Sequence, residues 1–166
     1  MRVHASCVWW PIGGVLLRGG SGSGKTDLAW RLIEESGAIL IGDDQVELSL
    51  RDGALTATAC VPGLIEVRGL GLVGAPYQPH GGVCLVVDLA DEMPRMPKPR
   101  YENLLGVDVP CLSLLSFDAN AARRVHLAVR TIGKNGFPED GIIPHDCATG
   151  IASGVTKGHS DDNRES

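Results

Sequence analysis

The sequence predicts an α/β domain, and three observations carry that prediction. A short apolar run, "GVLLR" (14–18), stops at glycines and leads into a helical pattern and then a second apolar run. Another apolar run, "GGVCLVVDL" (81–89), reads as a further buried strand. Residues 119–132 repeat apolar positions at helical spacing. Strand, glycine loop, helix and strand in succession form a βαβ unit, whose two strands are expected to make a parallel pair.

The elements follow in order. After the strand at 14–18, Leu28, Ala29, Leu32 and Ile33 define one helical face, with Glu34 and Glu35 on the other. Gly37 is a natural stop. "AILIGDD" (38–44) is a second buried strand that runs into two carboxylates. "VELSLRDGALTATA" (46–59) sets two alternating runs about Asp52-Gly53, a strong hairpin signal. "DEMPRMPKPRYEN" (91–103) carries three prolines among charges and is expected to be a loop. In the helix at 119–132, Ala121, Val125, Ala128 and Ile132 share a face, Arg123, Arg124 and Arg130 lie off it, and Gly133 ends it. Residues 1–135 then form one domain. Residues 136–166 have little periodicity and read as an irregular to disordered tail.

Composition narrows the function. A chain of 166 residues with 43% hydrophobic content fits one domain with a sizeable core. A net charge of −5 argues against a broad nucleic-acid or acidic-membrane surface. No run approaches the roughly 20 apolar residues of a membrane span, and the N-terminus lacks the apolar stretch of a signal peptide. The cysteines, Cys7, Cys60, Cys84, Cys111 and Cys147, are scattered and not at metal-ligand spacing. They read as reduced, buried thiols of a cytoplasmic protein.

Gly19, Gly24, Lys25 and Thr26 fit the pattern G-x-x-x-x-G-K-[ST]. Such a loop, here Gly19, Gly20, Ser21, Gly22, Ser23 and Gly24, lets the backbone wrap a triphosphate and aim successive N–H groups at its oxygens. The following helix adds its free N–H groups and the positive end of its dipole. Lys25 would reach the β- and γ-phosphates, and the Thr26 hydroxyl would bind Mg²⁺. No G-x-G-x-x-G can be read from these glycines, so a dinucleotide fold is not indicated. A guanine-reading N/T-K-x-D is also missing, since "TKGH" (156–159) ends in His.

Asp43 and Asp44 close the strand after that helix, on the edge where the glycine loop lies. Adjacent carboxylates allow a division of labour. One supports the metal, and the other, its pKa raised by its neighbour, accepts a proton. Asp88 ends another apolar strand and competes for the role. In "GLIEVRGLGLV" (63–73), Glu66 and Arg68 share a face before Gly69 and Gly71 break the strand. That composition suits either a turn that approaches a phosphate or a surface hairpin.

Together these segments resemble the catalytic domain of the HPr kinase/phosphorylase family. "HAS" (4–6), "LLRGGSGSGKTDLAWRLI", "ILIGDDQVEL" and above all "GLIEVRGLGLV" carry the likeness, which runs from His4 to about Ile132. It implies a P-loop nucleotide-binding domain of the HPr kinase / phosphoenolpyruvate carboxykinase type, with a mixed sheet and flanking helices. It also implies a short form without the N-terminal domain of longer members. The implied activity is ATP- and Mg²⁺-dependent phosphorylation of a serine of the phosphocarrier HPr, within the phosphotransferase system, by a homo-oligomer that is hexameric in the family. By position, Lys25 would bind phosphates, and Thr26, Asp43 and Glu66 would hold Mg²⁺. Asp44 would be the base, with His4 beside the aspartates and Arg68 in the second signature. Longer members have Tyr-x-Arg-Leu-Gly where this chain has "YENLLG", with Asn103 at the arginine, and their P-G-R-N segment is "NAARRV" here. The kinase residues are therefore present and the equipment for the reverse phosphorolysis is in doubt. An ATP-binding regulatory scaffold and a small-molecule kinase are the alternative readings.

Overall fold

A computed structural model describes residues 1–144 of the chain. Its framework is a sheet whose central strands are buried on both faces. β1 (Arg2–Val3) and β2 (Ala5–Trp10) lead into β3 (Gly13–Arg18), and α1 (Lys25–Ser36) follows. β4 (Ile39–Gly42), the hairpin β5 (Val46–Arg51) and β6 (Ala54–Ala59), and the small hairpin β7 (Leu64–Val67) and β8 (Gly71–Gly74) come next. β9 (His80–Leu89), β10 (Tyr101–Leu104) and β11 (Val107–Leu114) precede α2 (Ala121–Ala128), which continues as a π-helical turn over Val129–Gly133.

β3 lies parallel to β9, from Gly14 opposite Val83 to Arg18 opposite Asp88. β11 is parallel to β9 on Cys111–Leu114. The expected pairing of the two βαβ strands does not occur. β3 and β4 do run in the same direction, but β2 lies between them and is antiparallel to both. The reason is in its sequence. "ASCVWW" is buried along almost its whole length, so it stabilises the fold most in the sheet interior, where both its faces leave water. The ends of β3, β4, β9 and β11 and the start of β2 thus meet on one edge of the sheet. The outer side of β4 is covered in turn. Leu40 donates its N–H to Pro76 O at 2.9 Å and accepts from Gln78 N at 3.0 Å.

Alternation along the strands divides the core. Val15 and Leu17 of β3 and Leu85 and Val87 of β9 face α1 and α2, where they meet Leu28, Leu32, Val125 and Val129. Leu16 and Val86 face the other way, towards Leu48, Leu55, Leu104 and Val109. The Asp52-Gly53 hairpin forms as expected, with φ of 51° and 77° at the two turn residues. The proline-rich loop spans 91–100, and its last residues belong to β10.

Two details differ from expectation. Gly133 does not end the second helix. The helical backbone runs on through Lys134, and Gly136, at φ 76°, makes the turn by donating to Ile132 O. Gly133 serves close packing instead, because a Cβ there would meet Cys84 Sγ at 2.9 Å. Cys60 is exposed, whereas Cys7 and Cys111 are buried and Cys84 is half-buried. Cys147 and the part of the tail beyond residue 144 lie outside the described residues. Among the described residues no helix is long and apolar enough to cross a membrane.

Candidate functional site

The glycine loop joins β3 to α1 at the strand-end edge. Gly24 holds φ 91° immediately before the helix, and a Cβ there would lie 2.6 Å from Ser116 Oγ. Only glycine satisfies both conditions. No side chain caps the start of α1, so its first N–H groups stay available to an anion. Lys25 is almost fully buried and folds back over the loop, donating to Gly19 O at 2.8 Å and Gly20 O at 3.0 Å. These two bonds park the ammonium at the loop mouth. Ser23 Oγ is buried without a partner, an orphaned hydroxyl of the kind a bound oxyanion satisfies.

The two aspartates are used differently. Asp43 is held inwards: Ser6 Oγ donates to its Oδ1 at 2.7 Å, Thr26 Oγ1 donates to the same oxygen at 2.9 Å, and Glu66 N approaches its Oδ2 at 3.4 Å. Asp44 turns out to the mouth, with His4 Nε2 3.4 Å from its Oδ1 and two thirds of its side chain exposed. Asp44 adopts φ 64°. A left-handed backbone is uncommon at a non-glycine residue, and Asp adopts it more readily than most. Here it turns two consecutive carboxylates to different partners.

A cleft of about 390 Å³ gathers His4, Ser21, Gly22, Gly24, Lys25, Thr26, Asp44, Glu66 and Arg68 along its lining. Gly19, Gly20, Ser23 and Asp43 stand behind that lining. "GLIEVRGLGLV" is a surface hairpin, β7 with β8, as one of the two expectations had it, and it brings Glu66 and Arg68 to the cleft. Thr26, Asp43, Asp44 and Glu66 supply hard oxygen donors, the chemistry Mg²⁺ prefers. They do not converge as a closed cage, which suits an ion that keeps waters and phosphate oxygens as ligands. A larger, more open hollow at the far end of α1, by Glu35, Arg123 and His126, has no such convergence.

Four features of the site were not foreseen. Ser6 supports Asp43. Ser116, on the loop after β11, donates its hydroxyl to Ser23 O. Arg31 holds that same loop, donating to the carbonyls of Ser116, Asp118 and Ala119 at 3.0 to 3.2 Å. Phe117 reaches the cleft. Each depends on a contact between distant segments, and no local pattern announces it.

Asp88 is not at the cleft. Arg18 Nε donates to Asp88 Oδ1 at 2.8 Å and Arg18 Nη1 to Glu102 Oε1 at 2.6 Å, while Arg100 Nη2 reaches Asp88 Oδ2 at 2.8 Å. Burial opposes the Asp88 charge, but Arg18, then the hydrogen bonds from Cys111 and Arg100, outweigh it and hold the carboxyl below its ordinary value. Asp88, Glu102 and Cys111 bring their ligand-type atoms within 4.8 Å of one another, but the two guanidinium groups already satisfy those carboxylates. Cys111 is pushed up to about 11, first by burial and then by Asp88. Asn103 is spent on the β10–β11 turn, donating to Asp108 Oδ1 at 2.8 Å and accepting from Gly106 N at 3.1 Å. Arg124 pairs with Asp118, and Arg123 lies by the far hollow. Among the described arginines, Arg68 is the one on the cleft.

Comparison with known proteins points to one family. A family model described as the HPr Serine kinase C-terminal domain matches residues 1–81. A HPr kinase/phosphorylase of Clostridium novyi (strain NT) is 40% identical over 65 residues, covering 38% of this chain and 21% of that protein. One from Limosilactobacillus reuteri (strain DSM 20016) is 32% identical over 117 residues, covering 61% and 36%. The chain thus spans between about a fifth and about a third of the length of these relatives. The structure of the Hpr(Ser) kinase/phosphatase from Coxiella burnetii superposes with a TM-score of 0.67 at 25% identity, over 78% of this chain and 88% of that one.

Proposed function

We propose, from the likeness of the chain to the HPr kinase family, that it is an ATP- and Mg²⁺-dependent protein-serine kinase, acting in the cytoplasm on the phosphocarrier HPr as a regulator of the phosphotransferase system. By family likeness it works as a homo-oligomer, a hexamer in its relatives. One observation carries the reading: a single cleft is lined by the glycine loop, Lys25, Thr26 and the exposed carboxylate of Asp44, with the unpartnered Ser23 hydroxyl and the inward-held Asp43 behind that lining.

The roles in this reading combine that arrangement with the family likeness. The loop N–H groups and the free start of α1 are the phosphate loop that cradles the triphosphate. Lys25 leaves the Gly19 and Gly20 carbonyls and neutralises the transferring phosphoryl group. Thr26, Asp43 and Glu66 would hold Mg²⁺, which would supply charge neutralisation at the phosphate oxygens. Asp44, exposed at the mouth and oriented by His4, takes the proton from the incoming serine hydroxyl. The serine oxygen bonds to the γ-phosphorus as the bond to the β-phosphate oxygen breaks, and ADP leaves. Arg68 steadies the anionic oxygens from the hairpin side.

The test is direct. The protein is mixed with ATP, Mg²⁺ and HPr from the same organism, and HPr is weighed by mass spectrometry. The expected result is a mass gain of one phosphate on one serine, lost with Asp44→Asn. ATP binding without any transfer to HPr would leave a nucleotide-dependent scaffold and overturn the kinase assignment.

A further inference from the structure

Phe117 is an aromatic ring that the fold keeps in water, and it is held there firmly. It is 73% exposed, in a chain with only 4% aromatic residues. Its loop is nonetheless fixed from three directions. Buried Ser116 ties it to the Ser23 carbonyl inside the glycine loop. Arg31, projecting from α1, grips the carbonyls of Ser116, Asp118 and Ala119. Asp118 closes the turn by accepting from Asn120 N and Arg124 Nη1, each at 2.7 Å. An exposed hydrophobic side chain gains nothing for the fold from so much restraint. The restraint suits a surface that must stand at a set place.

That place adjoins the phosphate cradle. The ring tip lies 3.1 Å from where a Cβ on Gly24 would stand, and the ring shares its cleft with Gly24, Lys25, Thr26 and Asp27. The ring is therefore within reach of a group attached to a triphosphate held on the loop and the first turn of α1. We propose that Phe117 is the stacking surface for the base of the bound nucleotide, and that Arg31 and Ser116 position it. The inference rests on the nucleotide site proposed above and adds the residue that recognises the base end. Nucleobases have a π-face that stacks on an aromatic ring with little demand on hydrogen-bond pattern. That fits a cleft wall where Phe117 contributes a bare ring.

The experiment compares two anions by calorimetric titration with Mg²⁺ present: ATP, which has a base, and inorganic tripolyphosphate, which has none. Phe117→Ala is expected to weaken ATP on the order of tenfold, the range of one lost base–aromatic stack, and to leave tripolyphosphate unchanged. Phe117→Trp should keep ATP affinity. Arg31→Ala should weaken ATP selectively, and the double variant should be no weaker than Phe117→Ala alone, as coupled residues require. Phe117 is exposed, so its variants are expected to fold, which far-UV circular dichroism verifies. Equal losses for both anions, or no loss for ATP, would overturn the inference. Unchanged ATP affinity with a raised KM for HPr would make Phe117 a protein-docking residue and equally overturn it. If the wild-type chain binds tripolyphosphate and ATP equally well, the base assignment fails while the phosphate loop stands. If it binds neither, the nucleotide site itself fails.

Discussion

Lys25 has two carbonyl partners and no carboxylate among its bonds. An ammonium held by carbonyl oxygens is easily transferred to a stronger acceptor, which is what a lysine awaiting a phosphate requires. Lys25→Ala is expected to lower the rate of phosphoryl transfer by about 10²–10³, the usual cost of removing one preorganised charge-stabilising donor. The circular dichroism spectrum should be unchanged, and near-normal phosphorylation of HPr would remove the loop from the mechanism. At this scale much of the site was legible. Gly24, Lys25 and Thr26 stand out by their spacing, Asp43 and Asp44 by closing a buried strand, and Glu66 only through the family resemblance; the structure brings them to one region. The opposite orientations of Asp43 and Asp44 were not legible, because they come from the left-handed turn at Asp44 and from contacts with Ser6 and His4 across the sheet.

Elements were legible where periodicity is local and less so where partners are distant. The Asp52-Gly53 hairpin and the stop of α1 at Gly37 follow from turn chemistry. The insertion of β2 between β3 and β4 does not, because local pattern identifies strands and not their neighbours. At the other end of the chain, His126 of α2 stacks on Trp10 of β2, with ring centroids 5.0 Å apart and planes 15° from parallel. Burial, then the charge of Arg130, holds its pKa below 6.5. The unfolded chain therefore binds a proton more readily than the folded one. Stability should fall as pH drops through 6.5 and continue to fall until the folded imidazole itself titrates, with no effect well above 6.5. His126→Gln should flatten this slope, read as the change in urea midpoint between about pH 5 and pH 8. An unchanged slope would show that the stack does not govern the protonation.

On the scale of the molecule, charge is organised into two separate systems. The first is the Arg18, Asp88, Glu102 and Arg100 network, which ties β3, β9 and β10 together on the face away from the helices. Asp88 has a lowered pKa, so its contribution is complete above the unfolded value and is lost as pH falls through the folded one. Acid unfolding should begin below about pH 4, and Asp88→Asn should weaken the acid dependence while lowering stability at neutral pH. The second system is the cleft, where Arg68 alone among the described arginines lines the wall. Phosphorolysis requires inorganic phosphate to be held against the anionic phosphoserine, and paired guanidinium donors are the natural means. Asn103, Arg100, Arg123 and Arg124 are all engaged or placed elsewhere. Forward transfer should therefore exceed release of pyrophosphate from phosphoseryl-HPr by a wide margin in paired assays. Comparable rates would assign the phosphate grip to Arg68, and Arg68→Ala would then abolish the reverse reaction first.

The backbone cover on β4 has a consequence for how copies of this chain can meet. Pro76 and Gln78 already occupy the hydrogen-bonding groups of Leu40 that face outward, and β1, at the opposite end of the same strand order, is two residues long. A sheet invites a foreign strand only through a run of open amides and carbonyls. With one margin sealed at Leu40 and the other cut short, the open run lies on the branch of the sheet: among the described strands β10 pairs only with β11. Backbone pairing between copies is therefore expected along Tyr101–Leu104, away from the cleft, and not at either end of the main strand order.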